Sequence, residues 1–307
     1  ILLMLTVGYM LFQNVIGTGI AVAMGLPVGF GLLGGTISLV GGHGTAIAWG
    51  PRLVEQYGVV GAVEIGAATA TLGLIAASLL GGPIGNYLIQ VKGGKPDPNR
   101  PDEGPVIGIE TEDEADTSVT HTGLMRAILV LNIAIALGVA LQEALVYGFN
   151  LDLPVFVCCL FCGIILSNTV PLIFKNMIWP ARSRSLAVIS DLALGIFLTM
   201  SLMSLQLWTI AGLAGPMMLI LAAQIVGAGV FIIFVLFPVM GRDYNASVLG
   251  AGFAGFALGA TPTAIANMTA VTKQYGPAMQ AFLILPLVSA FFVDLANAVI
   301  IVLFLGN

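Results

Sequence analysis

The sequence predicts an all-α, polytopic membrane protein built of two inverted repeats, each interrupted by a re-entrant or broken-helix hairpin. Three observations predict it. Hydrophobic residues make up 58% of the 307 positions and charged residues 8%, with mean hydropathy +1.05, a composition that would leave a soluble globule almost no polar surface. Apolar runs of about 20 residues or more recur, each long enough to cross a hydrocarbon core of roughly 30 Å. Short segments also repeat at a constant offset of 218 positions, which marks a duplication. Helices rather than a β-barrel are expected because runs such as Phe231 to Val239 are apolar on all sides.

In chain order, full spans are predicted at 1–24, 59–90, 125–148, 154–173, 186–206, 209–238 and 278–305. Two further stretches, 27–50 and 246–272, are apolar enough to enter a membrane but carry Gly31, Gly34, Gly35, Gly41, Gly42 and Gly44 in one, and Gly250, Gly252, Gly255, Gly259 and Pro262 in the other. That density of glycine is expected to break regular helix, so both are read as hairpins that return to the side they entered from. Cys158, Cys159 and Cys162 lie in one apolar span. Without a second ligand pair or a βαβ setting they are read as small packing residues rather than metal or redox groups.

With both hairpins re-entrant, one face holds Lys92, Lys95, Arg100, Arg126, Lys175, Arg182, Arg184, Arg242 and Lys273, and the other holds only Arg52. This bias predicts that the basic face is cytoplasmic and the C-terminus external. Residues 93–121 are rich in Pro, Gly and acids, among them Glu110, Glu112, Asp113, Glu114 and Asp116, and are expected to form a flexible, solvated cytoplasmic linker. It separates residues 1–92, the C-terminal part of a first repeat, from 122–307, the second.

The repeat is specific. Thr45-Ala46-Ile47-Ala48 recurs as Thr263-Ala264-Ile265-Ala266, Gln56-Tyr57-Gly58 as Gln274-Tyr275-Gly276, and Gly34 and Gly41 as Gly252 and Gly259. The predicted topology sends the first hairpin in from outside and the second from inside, the inverted pattern of secondary transporters. Ile1 lies inside an apolar run, and the offset leads to the expectation that about 90 to 100 residues precede it, enough for two or three spans.

Broken backbone at membrane depth is tolerated only where protein or water satisfies it, so the hairpin tips are expected to line a site. Gly41, Gly42, His43, Gly44 and Thr45 in one, and Gly259, Ala260, Thr261, Pro262 and Thr263 in the other, offer free amides to an anionic substrate at short-helix N-termini, and unwound carbonyls and hydroxyls to Na⁺. The substrate-binding candidates are thus Gly41, Gly42, His43, Gly44, Thr45, Gly259, Ala260, Thr261, Thr263 and Asn267. Candidate Na⁺ ligands are Ser38, Thr263, Asp294 and Asn297, the last two three residues apart on one helix. Each has a plainer reading: the glycines serve close helix packing, and Ser and Thr bond back to a carbonyl four residues earlier. His43 is as well suited to a structural hydrogen bond as to a carboxylate or a proton. Glu64, Glu143 and Asp191 are expected to reach the interface.

The segments Gly41-Gly42-His43-Gly44-Thr45 with Ala48-Trp49, and Leu258-Gly259-Ala260-Thr261-Pro262-Thr263-Ala264-Ile265-Ala266-Asn267-Met268, resemble the two hairpin signatures of the bacterial glutamate:sodium symporter family. The resemblance covers nearly the whole chain, including Gln13-Asn14, Tyr57-Gly58, Leu166-Ser167-Asn168, Gly241-Arg242-Asp243-Tyr244 and Ala290-Phe291-Phe292-Val293-Asp294. It implies electrogenic glutamate uptake coupled to Na⁺, two inverted five-span domains joined by a cytoplasmic loop, a homodimer, and a bacterial inner membrane. Val40 departs from it, standing where a hydroxyl-bearing residue is expected.

On this reading the chain is a secondary transporter working by alternating access, with glutamate, Na⁺ and lipid as partners, no cofactor beyond the coupling ion, and no nucleic acid. The alternatives are a Na⁺- or H⁺-coupled dicarboxylate or hydroxycarboxylate carrier and an ion channel, since half-helices also line pores. An enzyme is disfavoured, because no nucleophile with an adjacent base and no metal-ligand cluster occurs in any span.

Overall fold

The computed structural model describes residues 1–93, 119–149, 153–174, 179–180, 183–204 and 212–306. All regular elements among them are helical: α1 (Leu2–Ala23), α2 (Val28–Leu33), α3 (Gly42–Tyr57), α4 (Ala62–Gln90), α5 (His121–Phe149), α6 (Val155–Ile173), α7 (Arg184–Ser204), α8 (Ala214–Phe231), a π-helical turn Ile232–Leu236, α9 (Phe237–Val239), α10 (Tyr244–Leu258), α11 (Thr261–Tyr275), α12 (Met279–Phe291) and α13 (Val293–Leu305). Five are long and apolar enough to cross a bilayer: α1, α4, α5, α6 and the α8–α9 run. A sixth is formed if α12 and α13, bent by 46° at their junction, make one span. The chain is a multi-pass membrane protein. Nearly all of the predicted acidic linker lies outside the described residues.

Two packing units emerge, one of α1–α4 with α8–α13, the other of α5–α7. In the second unit several polar side chains bond within their own helices, as a lipid setting favours. Asn132 donates to the Ile128 carbonyl at 2.8 Å, Asn168 to Ile164 at 2.8 Å and Thr199 to Gly195 at 2.7 Å. Its cysteines pack: a Cβ on Gly138 would fall 2.6 Å from Cys159 Cα, so α5 and α6 touch backbone to backbone there, and Cys159 Sγ donates to the Ile135 carbonyl at 3.8 Å.

The helix directions of the first unit follow from its contacts. Gln13 of α1 reaches Ala257 and Tyr9 meets Phe253, a constant difference, so α1 and α10 run parallel. Gly85 faces Ala251 and Gly259 faces Ala77, a constant sum, so α4 and α10 run antiparallel. Gly50 against Val63 and Gly66 against Ala46 make α3 antiparallel to α4, and Gly17 against Gly31 with Asn14 against Gly35 shows that the chain from α2 runs antiparallel to α1. The pairs Gly255–Ala264 and Gly252–Met268 fold α11 back along α10. The first helix–break–helix element therefore starts against the direction of α1 and the second along it, so the two enter this unit from opposite ends.

The 246–272 segment is interrupted at one place: α10 runs unbroken through Gly250, Gly252 and Gly255 and stops after Leu258, so only Gly259 and Ala260 lie in the break. These glycines serve contact instead. A Cβ would fall 2.7 Å from Leu88 at Gly250, 2.6 Å from Leu285 at Gly252 and 2.7 Å from Ala264 at Gly255. The cost of glycine within a helix, about 1 kcal/mol each, is offset by the helix approach it permits. The core here is closed by Tyr9, Phe231 and Phe253, with ring centroids 5.0 to 6.0 Å apart.

The 218-residue repeat maps onto like elements. Thr45–Ala48 and Thr263–Ala266 lie in the first turns of α3 and α11. Tyr57 and Tyr275 end those helices, each followed by a glycine with positive φ, Gly58 at 65° and Gly276 at 105°.

Candidate functional site: two helix breaks that meet

Residues 34–41 join α2 to α3 through irregular turns, and Gly259-Ala260 join α10 to α11. The two breaks touch: a Cβ on Gly42 would lie 3.9 Å from the Gly259 carbonyl oxygen. The elements carrying the tip candidates of both sequence copies thus come together, although they enter from opposite ends. Gly41 to Thr45, Ala260, Thr261 and Thr263 are half-buried, while Gly259 is buried.

Both α3 and α11 begin at this junction, and neither has a side-chain cap on its N-terminus. They share this with α1, α2, α4, α6, α8, α12 and α13, whereas α10 is capped by Asp243, which accepts from the Ala246 amide at 2.7 Å. Two uncapped helix starts, of 16 and 15 residues, present orphan amides and the positive ends of two dipoles at one place. Such an arrangement attracts carboxylates.

His43 is partly committed. Its Nε2 lies 2.9 Å from Thr71 Oγ1, whose own proton goes to the Ala67 carbonyl at 2.9 Å. Thr71 can therefore only accept from His43, which assigns the ring proton to Nε2 from the network. A neutral His43 bonded in this way has no second ring proton to donate. Thr261 Oγ1 donates to Ser289 Oγ at 3.0 Å, tying the second tip to α12.

Asn267 holds helices. Its Nδ2 donates to Ala77 of α4 at 3.0 Å and to Ala251 of α10 at 3.4 Å, and Gly81 provides the space, since a Cβ there would overlap the Asn267 amide. Asn297 is buried and donates to the Thr36 carbonyl at 3.1 Å, so it reaches the first break from α13. Asp294 lies three residues before it in the first turn of α13 and is exposed. Residues three apart differ by about 60° around an α-helix, enough to put one inside and the other out. Ser38 is buried, with its hydroxyl directed at α4, and Thr263 remains at the second tip.

Sequence reasoning missed the buried amides that carry the first break. Asn14 Oδ1 accepts from the Thr36 amide at 2.9 Å; Gln224 Nε2 donates to Gln13 O at 2.8 Å and Gly34 O at 3.1 Å; Gln13 Nε2 donates to Ala257 O at 3.0 Å. Gln13-Asn14 stood out only through the resemblance. An uncharged Gln at the centre of an otherwise apolar span was the signal available for Gln224. We expect Gln224→Leu to strand buried carbonyl groups at a cost of about 1–3 kcal/mol, read as a lower thermal unfolding midpoint in detergent.

Comparison with known proteins places the chain. The family model described as sodium/glutamate symporter matches residues 1–277. A sodium/glutamate symporter of Escherichia coli (strain K12) is 41% identical over 306 residues, 99% of this chain and 75% of that protein. One of Haemophilus influenzae is 41% identical over 294 residues, 94% of this chain and 70% of that protein. No solved structure matches. A model spanning most of the chain and such identity across nearly its full length leave one conclusion: the chain belongs to the sodium/glutamate symporter family.

Proposed function

We propose that this protein is a secondary active transporter that carries glutamate together with Na⁺ across a bacterial inner membrane by alternating access. The observation that carries the reading is the approach of Gly42, which begins α3, to Gly259, in the break that precedes α11, from elements that enter from opposite ends, with neither α3 nor α11 capped. Glutamate is a dicarboxylate, and the two positive helix ends supply one favourable terminus for each of its carboxylates. Its relatives' names supply the substrate and the ion; the site supplies a reason for an acidic substrate.

In this mechanism the half-buried tips bind substrate, and Na⁺ organises the irregular backbone beside them. Each ligand stabilises the same arrangement of the two breaks and so raises affinity for the other, which is the coupling. The basic loops and the 93–121 linker face the cytoplasm, the C-terminus faces outward, and the protein works as a homodimer. The full-length protein in proteoliposomes should show saturable counterflow of labelled glutamate that collapses when Na⁺ is replaced by K⁺. Uptake unchanged by that replacement would exclude sodium coupling. Full competition by citrate or malate, with none by glutamate, would favour a hydroxycarboxylate carrier.

A further inference from the structure

The end of α11 away from the break is fastened by polar side chains. The Tyr275 hydroxyl donates to Asn86 Oδ1 at 2.6 Å and accepts from Gln90 Nε2 at 2.8 Å, so one phenol is held between two side chains of α4. Asn86 and Gln90 stand four residues apart and share a face of that helix. Tyr244, at the start of α10, donates its hydroxyl proton to the Gly276 carbonyl just past the end of α11. The base of the second helix–break–helix element is thus closed on itself and clamped to α4.

The first copy lacks these partners. At the 218-residue offset Tyr275 corresponds to Tyr57, Tyr244 to Leu26 and Asn86 to Phe304. Tyr57, Leu26 and Phe304 pack against one apolar cluster, and neither Leu26 nor Phe304 has a polar side-chain atom to offer. Both copies keep the tyrosine, but only the second matches it with these directional partners. Apolar contact has no preferred direction, whereas a hydroxyl that both donates and accepts is fixed in place.

Hydrogen bonds at a helix end near water add little net stability, but this clamp has leverage. Asn267 reaches Ala77 and Tyr275 reaches Asn86, differences of 190 and 189 positions, so α11 runs parallel to α4 and is tied to it at two heights. Asn267 lies about 9 Å along the axis from Thr261, where α11 begins, and Tyr275 about 12 Å beyond Asn267. Two attachments set the direction of a rigid rod. With Tyr275 released, a shift of about 1 Å at that end would swing the N-terminus about three-quarters as far the other way, and misplacements of about 1 Å cost as much as 100-fold in rate. We infer that Tyr275, clamped between Asn86 and Gln90, is a positioning residue that aims the uncapped N-terminus of α11 at the substrate. Tyr275 touches no substrate itself, being about 21 Å from the break along α11. The inference rests on the proposed binding of glutamate at that terminus and adds what orients it.

The test is the glutamate concentration giving half-maximal Na⁺-driven uptake by the full-length protein in proteoliposomes, with thermal midpoints measured in detergent alongside. Tyr275→Phe removes only the hydroxyl and should raise that concentration by roughly tenfold at a midpoint close to the parent's. Asn86→Leu should do the same. Asn86→Asp, whose carboxylate still accepts the phenol proton, should return the value to near the parent's. Tyr57→Phe, at the equivalent position of the first copy, should leave it unchanged. A parent with saturable, Na⁺-dependent uptake whose Tyr275→Phe variant keeps the same half-maximal concentration would overturn the positioning role, whether or not the midpoint falls. An equal rise in Tyr57→Phe would overturn the clamp as its cause. A parent without saturable glutamate uptake would instead overturn the reading of the site on which the inference rests.

Discussion

Replacing Gly42 by Val is expected to lower sodium-driven glutamate uptake by about 100-fold while leaving the helices folded. Two effects combine there. Gly42 has φ +66°, a left-handed conformation that costs an L residue about 1–2 kcal/mol and a β-branched one more. Its side chain would also enter the space between the tips, where even a Cβ comes within 3.9 Å of the Gly259 carbonyl. Gly42→Ala separates the contributions. It adds the backbone strain and one methyl group but does not fill the gap, so its uptake should fall by no more than about tenfold, the equivalent of 1.4 kcal/mol. Uptake by proteoliposomes, with thermal unfolding to confirm the fold, reads both. Equal activity of the Val variant and the parent would mean that the junction of the breaks is not on the substrate's path.

The second large effect is on stability. Gly81→Ala places a methyl group into the amide of Asn267, the side chain that joins α4, α10 and α11. Close-packed helices cannot yield there without separating, and overpacking of this kind costs about 1–3 kcal/mol. Asn267→Ala alone should cost a similar amount, by withdrawing the donors to Ala77 and Ala251 and opening a void. In the double variant the methyl occupies the space the amide has left. The two changes should therefore be less than additive by about 0.5–2 kcal/mol. Strict additivity in thermal unfolding would show that the two residues do not share the contact.

Much of this was legible in the sequence because it is local or periodic. Apolar runs of bilayer length gave the long helices. The 218-residue offset pointed to the two tips, and the structure places Thr45 and Thr263 in the first turns of equivalent helices and stops both after the paired tyrosines. Glycine was ambiguous for a physical reason: the same residue permits a break at Gly259 and close packing at Gly250, Gly252 and Gly255, and only the partner helix distinguishes the two. The supports of the breaks were illegible because they are long-range. Gln224 reaches Gly34 from 190 positions away, Asn267 reaches Ala77 from 190, and Asn297 reaches Thr36 from 261. Nothing adjacent to these residues announces their targets.

The central claim is that the two breaks form one substrate site, and ligand protection at both tips tests it most directly. In the full-length protein freed of its native cysteines, Cys158, Cys159 and Cys162 among them, Thr45→Cys and Thr263→Cys each place a thiol at a half-buried tip position. The rate of maleimide labelling is then followed as glutamate is added in Na⁺. A shared site predicts that both thiols are protected with the same half-maximal glutamate concentration, and that protection is lost when choline replaces Na⁺. Protection at one tip with unaltered labelling at the other would contradict it.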